Sequence, residues 1–201
     1  LIGSSAQAEG LILAIAAVRR LPRVNVFSPN AERRRQFCER MSAATGIDVR
    51  PVESAQAAIR SANLVCGAYR AGGTPSISAA GLRPGVHLNS LSSVRAQARE
   101  VADDVWAACA QIVVDHRVGV AASGDGISIR KTDGKTLENA PELWEALRDG
   151  VKRKAPDAVT MFKSVGAATQ DLAVAARAVE LARRQGMGQD VDIRVAPINE
   201  L

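Results

Sequence analysis

Short apolar runs alternate with helical stripes from the first residue of the chain. Leu1-Ile2 reads as the stub of a strand, and Leu11, Ala14, Ile15 and Val18 then fall on one helical face that Pro22 closes. Val24-Asn25-Val26-Phe27 is a β-rich run ended by Ser28-Pro29-Asn30. Asn30 caps a charged helix predicted over 31–44, and Gly46 terminates it. Strands are predicted at 47–52, 63–67, 86–90 and 112–114, with helices at 55–60 and 98–108; Val101, Val105 and Ala108 form the stripe of the latter. The glycines of 119–135 and the scarcity of large apolar residues there predict a long loop or irregular ribbon. A helix at 141–148, with Leu143, Trp144 and Leu147 as its apolar side, and a strand at 159–163 follow. The last helix, 167–185, carries a stripe of Leu172, Ala175, Ala176 and Val179 and stops at Gly186.

Strand and helix alternating in this way mean a parallel sheet with covering crossovers. Runs such as VNVF and IVV lack polar alternation, as strands covered on both faces do. The predicted fold is α/β: a Rossmann-like, doubly wound parallel sheet followed by a C-terminal helix.

Composition narrows the classes. The chain has 201 residues, 47% hydrophobic and 23% charged, enough for a sizeable core. A net charge of +5 spread over this length, with six aromatics and none in a basic run, is no nucleic-acid signature. The longest apolar run, 11–18, is far short of the roughly 20 residues that a membrane helix needs, and no basic region precedes it as in a signal peptide. Cys38, Cys66 and Cys109 are widely spaced and read as core residues in a reducing, cytoplasmic setting. No metal-ligand spacing occurs. The start at Leu1, inside a strand, reads as the back part of something longer.

Gly3-Ser4-Ser5-Ala6-Gln7-Ala8 lies between a strand stub and a helix, where a dinucleotide fold carries G-x-G-x-x-G/A. Gly3 supplies the tight turn and Ala8 the small third position. Ser5 departs from the second glycine; its hydroxymethyl either crowds a pyrophosphate or donates a hydrogen bond to it. The next strand ends at Ser28, where a ribose is read. Residues 21–31 there contain no acid to accept from a 2′-hydroxyl, and Ser28, Asn30 and the arginines from Arg33 onward suit a 2′-phosphate. NADP(H) is therefore expected over NAD(H). His87, His116, Asp125 and Lys163 carry weak signals. Asp125 reads as a turn residue; Asp115 sits at a strand end, where α/β ligands gather, and reads equally as a turn former.

The opening hexapeptide resembles the G-x-G-A-Q-A turn of the ornithine cyclodeaminase / mu-crystallin family. Pro84-Gly85-Val86-His87-Leu88-Asn89-Ser90-Leu91 is similar to its P-G-x-x-V-N-A-I-G strand. The segment from Val159-Thr160-Met161-Phe162-Lys163-Ser164-Val165-Gly166 to Asp171 resembles its T-x-F-K-S-x-G-x-A-x-x-D signature. The resemblance implies a homodimeric NAD(P)-binding protein acting at the Cα–N bond of an amino or imino acid: a cyclodeaminase, dehydrogenase or imine reductase, or else a mu-crystallin-like binder of NADP(H) without turnover. It implies a dinucleotide domain over 1–166, and a helix and tail over 167–201 that docks on an N-terminal substrate and dimer domain. Carried over, Gly3, Ser4, Ser5, Ala6 and Gln7 sit at the pyrophosphate, Ser28 (with Asn30 and Arg33) at the adenosine ribose, and Ala68 or Tyr69 where the family has Thr. Leu88, Asn89, Ser90 and Leu91 pass along the nicotinamide ribose, and Ser164 and Val165 approach the ring. The family's catalytic Asp position falls on Val94, its glycine on Ser92 and a basic position on Ala98, so no catalytic residue is assigned.

Overall fold

A computed structural model of the chain describes residues 1–91 and 94–191. The elements run α1 (Ala6–Val18), β1 (Arg23–Val26), α2 (Ala31–Thr45), β2 (Asp48–Pro51), α3 (Ala55–Ile59), β3 (Leu64–Gly67) and β4 (His87–Ser90). Then come α4 (Asp103–Ala108), β5 (Gln111–Val114), α5 (Arg117–Ala122), α6 (Gly124–Thr132), α7 (Gly134–Glu138), α8 (Leu143–Asp149), β6 (Thr160–Lys163) and α9 (Ala168–Arg184).

All strand pairs are parallel: β1 with β2, and β3-β4-β6-β5 in that order. Ile2 joins the two sets. It bridges Phe27 on one side and Gly67 on the other, through Ile2 N to Cys66 O at 2.8 Å and Gly3 N to Phe27 O at 2.7 Å. From this first segment the chain winds outward through β1 to β2, then returns to place β3 on its other side. The winding reverses between the first segment and β3, and such a reversal opens a crevice at the carboxyl ends of the strands.

Neighbouring residues separate into two cores. Leu1, Val26, Val49 and Cys66 pack with Ala8 and Ile12 of α1 and with Phe37, Cys38 and Met41 of α2. Ile2, Val65, Leu88, Ile112 and Met161 pack with Val105 and Trp106 of α4, Val120 and Ile129. Leu1 and Ile2, like Cys66 and Val65, face opposite ways because side chains alternate along a strand. The sheet is thus covered on both faces. Burial raises the thiols of Cys38, to about 11, and of Cys109, to about 12. Among the described residues no helix is long and apolar enough to cross a membrane.

Four sequence expectations need correction. The buried face of α1 is Ala8 and Ile12, flanked by Leu11 and Ile15, whereas Ala14 and Val18 are exposed. The 98–108 helix starts only at Asp103; before it, Val101 bridges Ile77, and Glu100 O accepts from Ser76 N and Ile77 N, so these residues bond across to 76–77 and not along a helix. Residues 119–135 fall in α5, α6 and α7, and two of the glycines mark close packing: a Cβ on Gly124 would stand 2.0 Å from Ala98 O and one on Gly126 1.9 Å from Val120 O. Helix α8 is present, but Trp144 and Leu147 lie exposed on it.

The chain divides into two compact units, Leu1–Gly166 and Ala167–Leu201. The second contains α9, whose Leu172, Val174 and Val179 are exposed and which ends before Gly186 at φ 64°.

Candidate functional site

The turn after the first segment is dictated by Gly3. Its φ is +120°, and a Cβ there would meet Ala68 O at 2.1 Å. Only glycine lets the first segment and β3 close to this distance. Ser5 then caps α1: its Oγ accepts from Ala8 N (3.3 Å) and donates to Ala68 O (3.0 Å). The hydroxyl proton is thereby turned toward the end of β3. Ser5, Ala6 and Gln7 are exposed. First-turn N–H groups of a helix have no acceptor four residues back, and together with the helix dipole they form an anion seat.

Because the strands are parallel, Ser28, Ala68, Tyr69, Leu91, Asp115, Ser164 and Val165 follow strand ends on the same edge as Gly3. Ser4 Oγ bonds Ser28 Oγ at 2.9 Å, tying the turn to the end of β1. Three residues assigned along the nicotinamide ribose do not offer side chains to this edge. Leu88 is buried in the core, Asn89 Nδ2 donates to Cys66 Sγ at 3.6 Å on the sheet face, and Ser90 Oγ is turned into a buried ionic cluster. Val94 is 54% exposed. Ser92 lies outside the described residues.

The charged helix α2 is capped at both ends as its pattern implies, but one arginine of its first turn is buried. Asn30 Oδ1 accepts from Arg33 N at 2.8 Å, so Asn30 is a cap. Arg33 is exposed, and Arg35 pairs with Glu32 and Glu39 on the solvent face. Arg34 is only 4% exposed. It donates to Ser28 O and to Glu53 Oε2 and lies over Phe27 at 5.5 Å. Arg34 falls on the buried stripe with Phe37, Cys38 and Met41, a spacing legible in the sequence but not used there.

Asp115 follows β5, and both oxygens of its carboxylate accept hydrogen bonds. Oδ2 accepts from Ser164 Oγ (2.7 Å), Val165 N (2.9 Å) and Gly166 N (2.7 Å), while Oδ1 accepts from His116 N (2.7 Å). Beneath the same edge lies the cluster that holds Ser90. Lys163 Nζ, at 0% exposure, donates to Ser90 Oγ (2.8 Å) and pairs with Asp125 (3.0 Å) and Glu100 (3.4 Å). Arg99 Nε completes it at 3.1 Å from Asp125. Asp125 is therefore a buried ion-pair partner within α6 and not a turn residue. Its partners are distant in sequence and left no local signal.

Both histidines serve the fold. His87 lies between Thr160 Oγ1 (2.7 Å) and Asn89 Oδ1 (3.2 Å), and burial holds it below its ordinary value. His116 Nδ1 accepts from Gly119 N at 3.2 Å, capping α5. A cavity of about 430 Å³ opens at the opposite, amino edge of the sheet, lined by Leu1, Ile15, Arg19, Leu21 and Leu64 among others. It lies away from every strand end named above.

The family model described as ornithine cyclodeaminase/mu-crystallin matches residues 1–185. A Delta(1)-pyrroline-2-carboxylate reductase of Bacillus cereus is 26% identical over 195 residues, 96% of this chain and 59% of that protein. The ketimine reductase mu-crystallin of Macropus fuliginosus is 30% identical over 147 residues, 73% of this chain and 44% of that protein. The Thermococcus litoralis Delta(1)-pyrroline-2-carboxylate reductase, solved in complex with NADH and L-proline, superposes with a TM-score of 0.88 at 32% identity, covering 94% of this chain and 59% of that one. The chain thus spans 59% of the length of these pyrroline-carboxylate reductases.

Proposed function

The chain belongs to the ornithine cyclodeaminase/mu-crystallin family, and from that premise we propose that it is the dinucleotide-binding part of an NAD(P)H-dependent oxidoreductase acting at the C–N bond of an amino or imino acid. The observation that carries this reading is the closure of Gly3 on Ala68 at the reversal of the sheet, with the N-terminus of α1 exposed beside it. A turn without a Cβ and a helix end with free N–H groups fit a diphosphate.

In this reading the backbone of Gly3, Ser4 and Ser5 and the N–H groups of Ala6 and Gln7 bind the diphosphate. Ser28 and the exposed Arg33 receive the adenosine ribose, with NADP(H) the preferred form. Ala68, Tyr69 and Leu91 line the path to the ring, and Ser164 and Val165 orient it. When bound, the nicotinamide supplies or accepts the hydride. Val94 stands where the resemblance places the acid that acts on the substrate amine. A valine neither holds nor moves a proton. This favours reduction of an imino acid over cyclodeamination, as do the reductase names of the relatives.

The proposal extends to a homodimer and a cytoplasmic setting, supported respectively by the family and by the buried thiols. It also has the exposed apolar side of α9 dock on an N-terminal substrate domain, which the relatives' greater length accommodates. The test is turnover. The full-length protein, carrying the N-terminal substrate domain, is mixed with NADPH or NADH and Δ1-pyrroline-2-carboxylate, and the loss of reduced-nicotinamide absorbance is followed. Oxidation of NADPH dependent on the imino acid is expected. Saturable cofactor binding without oxidation would favour the mu-crystallin-like reading as a binder, and no binding would remove both.

A further inference from the structure

We infer that Asp115 is a positioning residue that holds the 164–166 loop in the shape the nicotinamide meets; this rests on the dinucleotide reading above. The loop leaves β6 and is fixed at both flanks by its neighbours. Ser164 N donates to Ser90 O at 2.9 Å, and Asp115 N donates to Lys163 O at 3.1 Å. Beyond that point the strand ladder ends, and the N–H groups of Val165 and Gly166 turn to one oxygen, Asp115 Oδ2, at 2.9 and 2.7 Å. Ser164 Oγ donates to the same oxygen at 2.7 Å. Three donors on one ionised oxygen are charge-assisted bonds, shorter and stronger than neutral ones.

The other carboxylate oxygen is held by His116 N at 2.7 Å, so the acid cannot rotate away without losing a fourth bond. Gly166 takes φ 84°, a conformation open to glycine, so the chain turns immediately after the N–H that bonds the acid. The packing agrees. A Cβ on Gly119 would stand 3.0 Å from Val165 Cγ2, so α5 packs closely against the Val165 side chain while Asp115 holds its backbone. The carboxylate does not need to reach the ring. It sets where Ser164 and Val165 stand, and a platform set before binding lowers the ordering cost of the complex.

The experiment compares two ligands by calorimetry on the wild type and on Asp115→Ala, Asp115→Asn and Gly166→Ala. NADPH carries the nicotinamide; 2′-phospho-ADP-ribose is the same molecule without it. The wild type is expected to bind both. Asp115→Ala should weaken NADPH by about tenfold, close to the worth of one charge-assisted bond, and leave the truncated ligand within about twofold. Asp115→Asn retains an acceptor oxygen for the loop and should recover much of the loss. Gly166→Ala distorts the loop with nothing within 4 Å of the new methyl, and should repeat the selective loss even where Asp115→Ala does not fold. Equal weakening of both ligands, or of neither, overturns the inference while the dinucleotide reading stands. Failure of the wild type to bind either ligand overturns both.

Discussion

Gly3 and Ala68 are so close that a methyl on the first would lie 2.1 Å from the carbonyl oxygen of the second, at a φ of +120°. Gly3→Ala is therefore expected to cost about 3 kcal/mol or more, from backbone strain and the forced separation of the first segment from β3. Gly10, inside α1 with nothing within 4 Å, is the control. There alanine should stabilise by about 0.5–1 kcal/mol. Urea denaturation of the two variants, read beside the wild type, checks both signs.

Arg33 and Arg34 are adjacent but belong to different environments, and their variants should separate. Arg33→Ala on the exposed face should leave stability within about 0.5 kcal/mol. It should weaken NADPH about tenfold more than NADH, the worth of one charged contact to a phosphate. Arg34→Met strands Ser28 O and removes the guanidinium over Phe27. It should cost about 2 kcal/mol and act on both cofactors alike. Equal effects of Arg33→Ala on NADPH and NADH would contradict the 2′-phosphate preference.

His87 makes stability depend on pH. Burial holds the ring below its ordinary 6.5, against an opposing pull from Asn89. The unfolded chain therefore takes up the proton first. The contribution is complete above about 6.5 and is lost as the pH falls below it toward the folded value. His87→Gln, with no proton to bind, should flatten that part of the profile in melts taken across acidic buffers.

Lys163 is fully buried between Glu100 and Asp125. Removing one partner of such a cluster leaves uncompensated charge, so Lys163→Met should cost about 3–5 kcal/mol. Exposed pairs such as Arg35 with Glu39 should each be worth less than about 1 kcal/mol. Equilibrium unfolding of Lys163→Met and Arg35→Ala tests the contrast.

The sequence made local devices legible and distant pairings opaque. Asn30 and Gly46 bracket α2 as their cap chemistry predicts, and Ile2 sits in the middle of a parallel sheet as a strand stub should. The glycines of 119–135 misled because glycine serves flexibility and close approach alike; Gly124 and Gly126 are there for the second. Asp115 was recognisable as an acid at a strand end. Its partners 164–166 lie 49 to 51 positions further on, and no spacing rule reaches so far. Lys163 reaches Ser90 across 73 positions for the same reason. Arg34 was hidden by its neighbours' charge, although its place on the stripe with Phe37 and Met41 was readable.

The most direct test of the diphosphate seat is an amide map. Chemical shifts of the nitrogen-labelled protein are followed as 2′-phospho-ADP-ribose is added. The account expects saturable changes at Ser4, Ser5, Ala6 and Gln7, with Ser28 and Ala68 moving alongside. Changes confined to Arg19, Leu21 and Leu64, around the cavity at the amino edge of the sheet, or no changes at all, would contradict it.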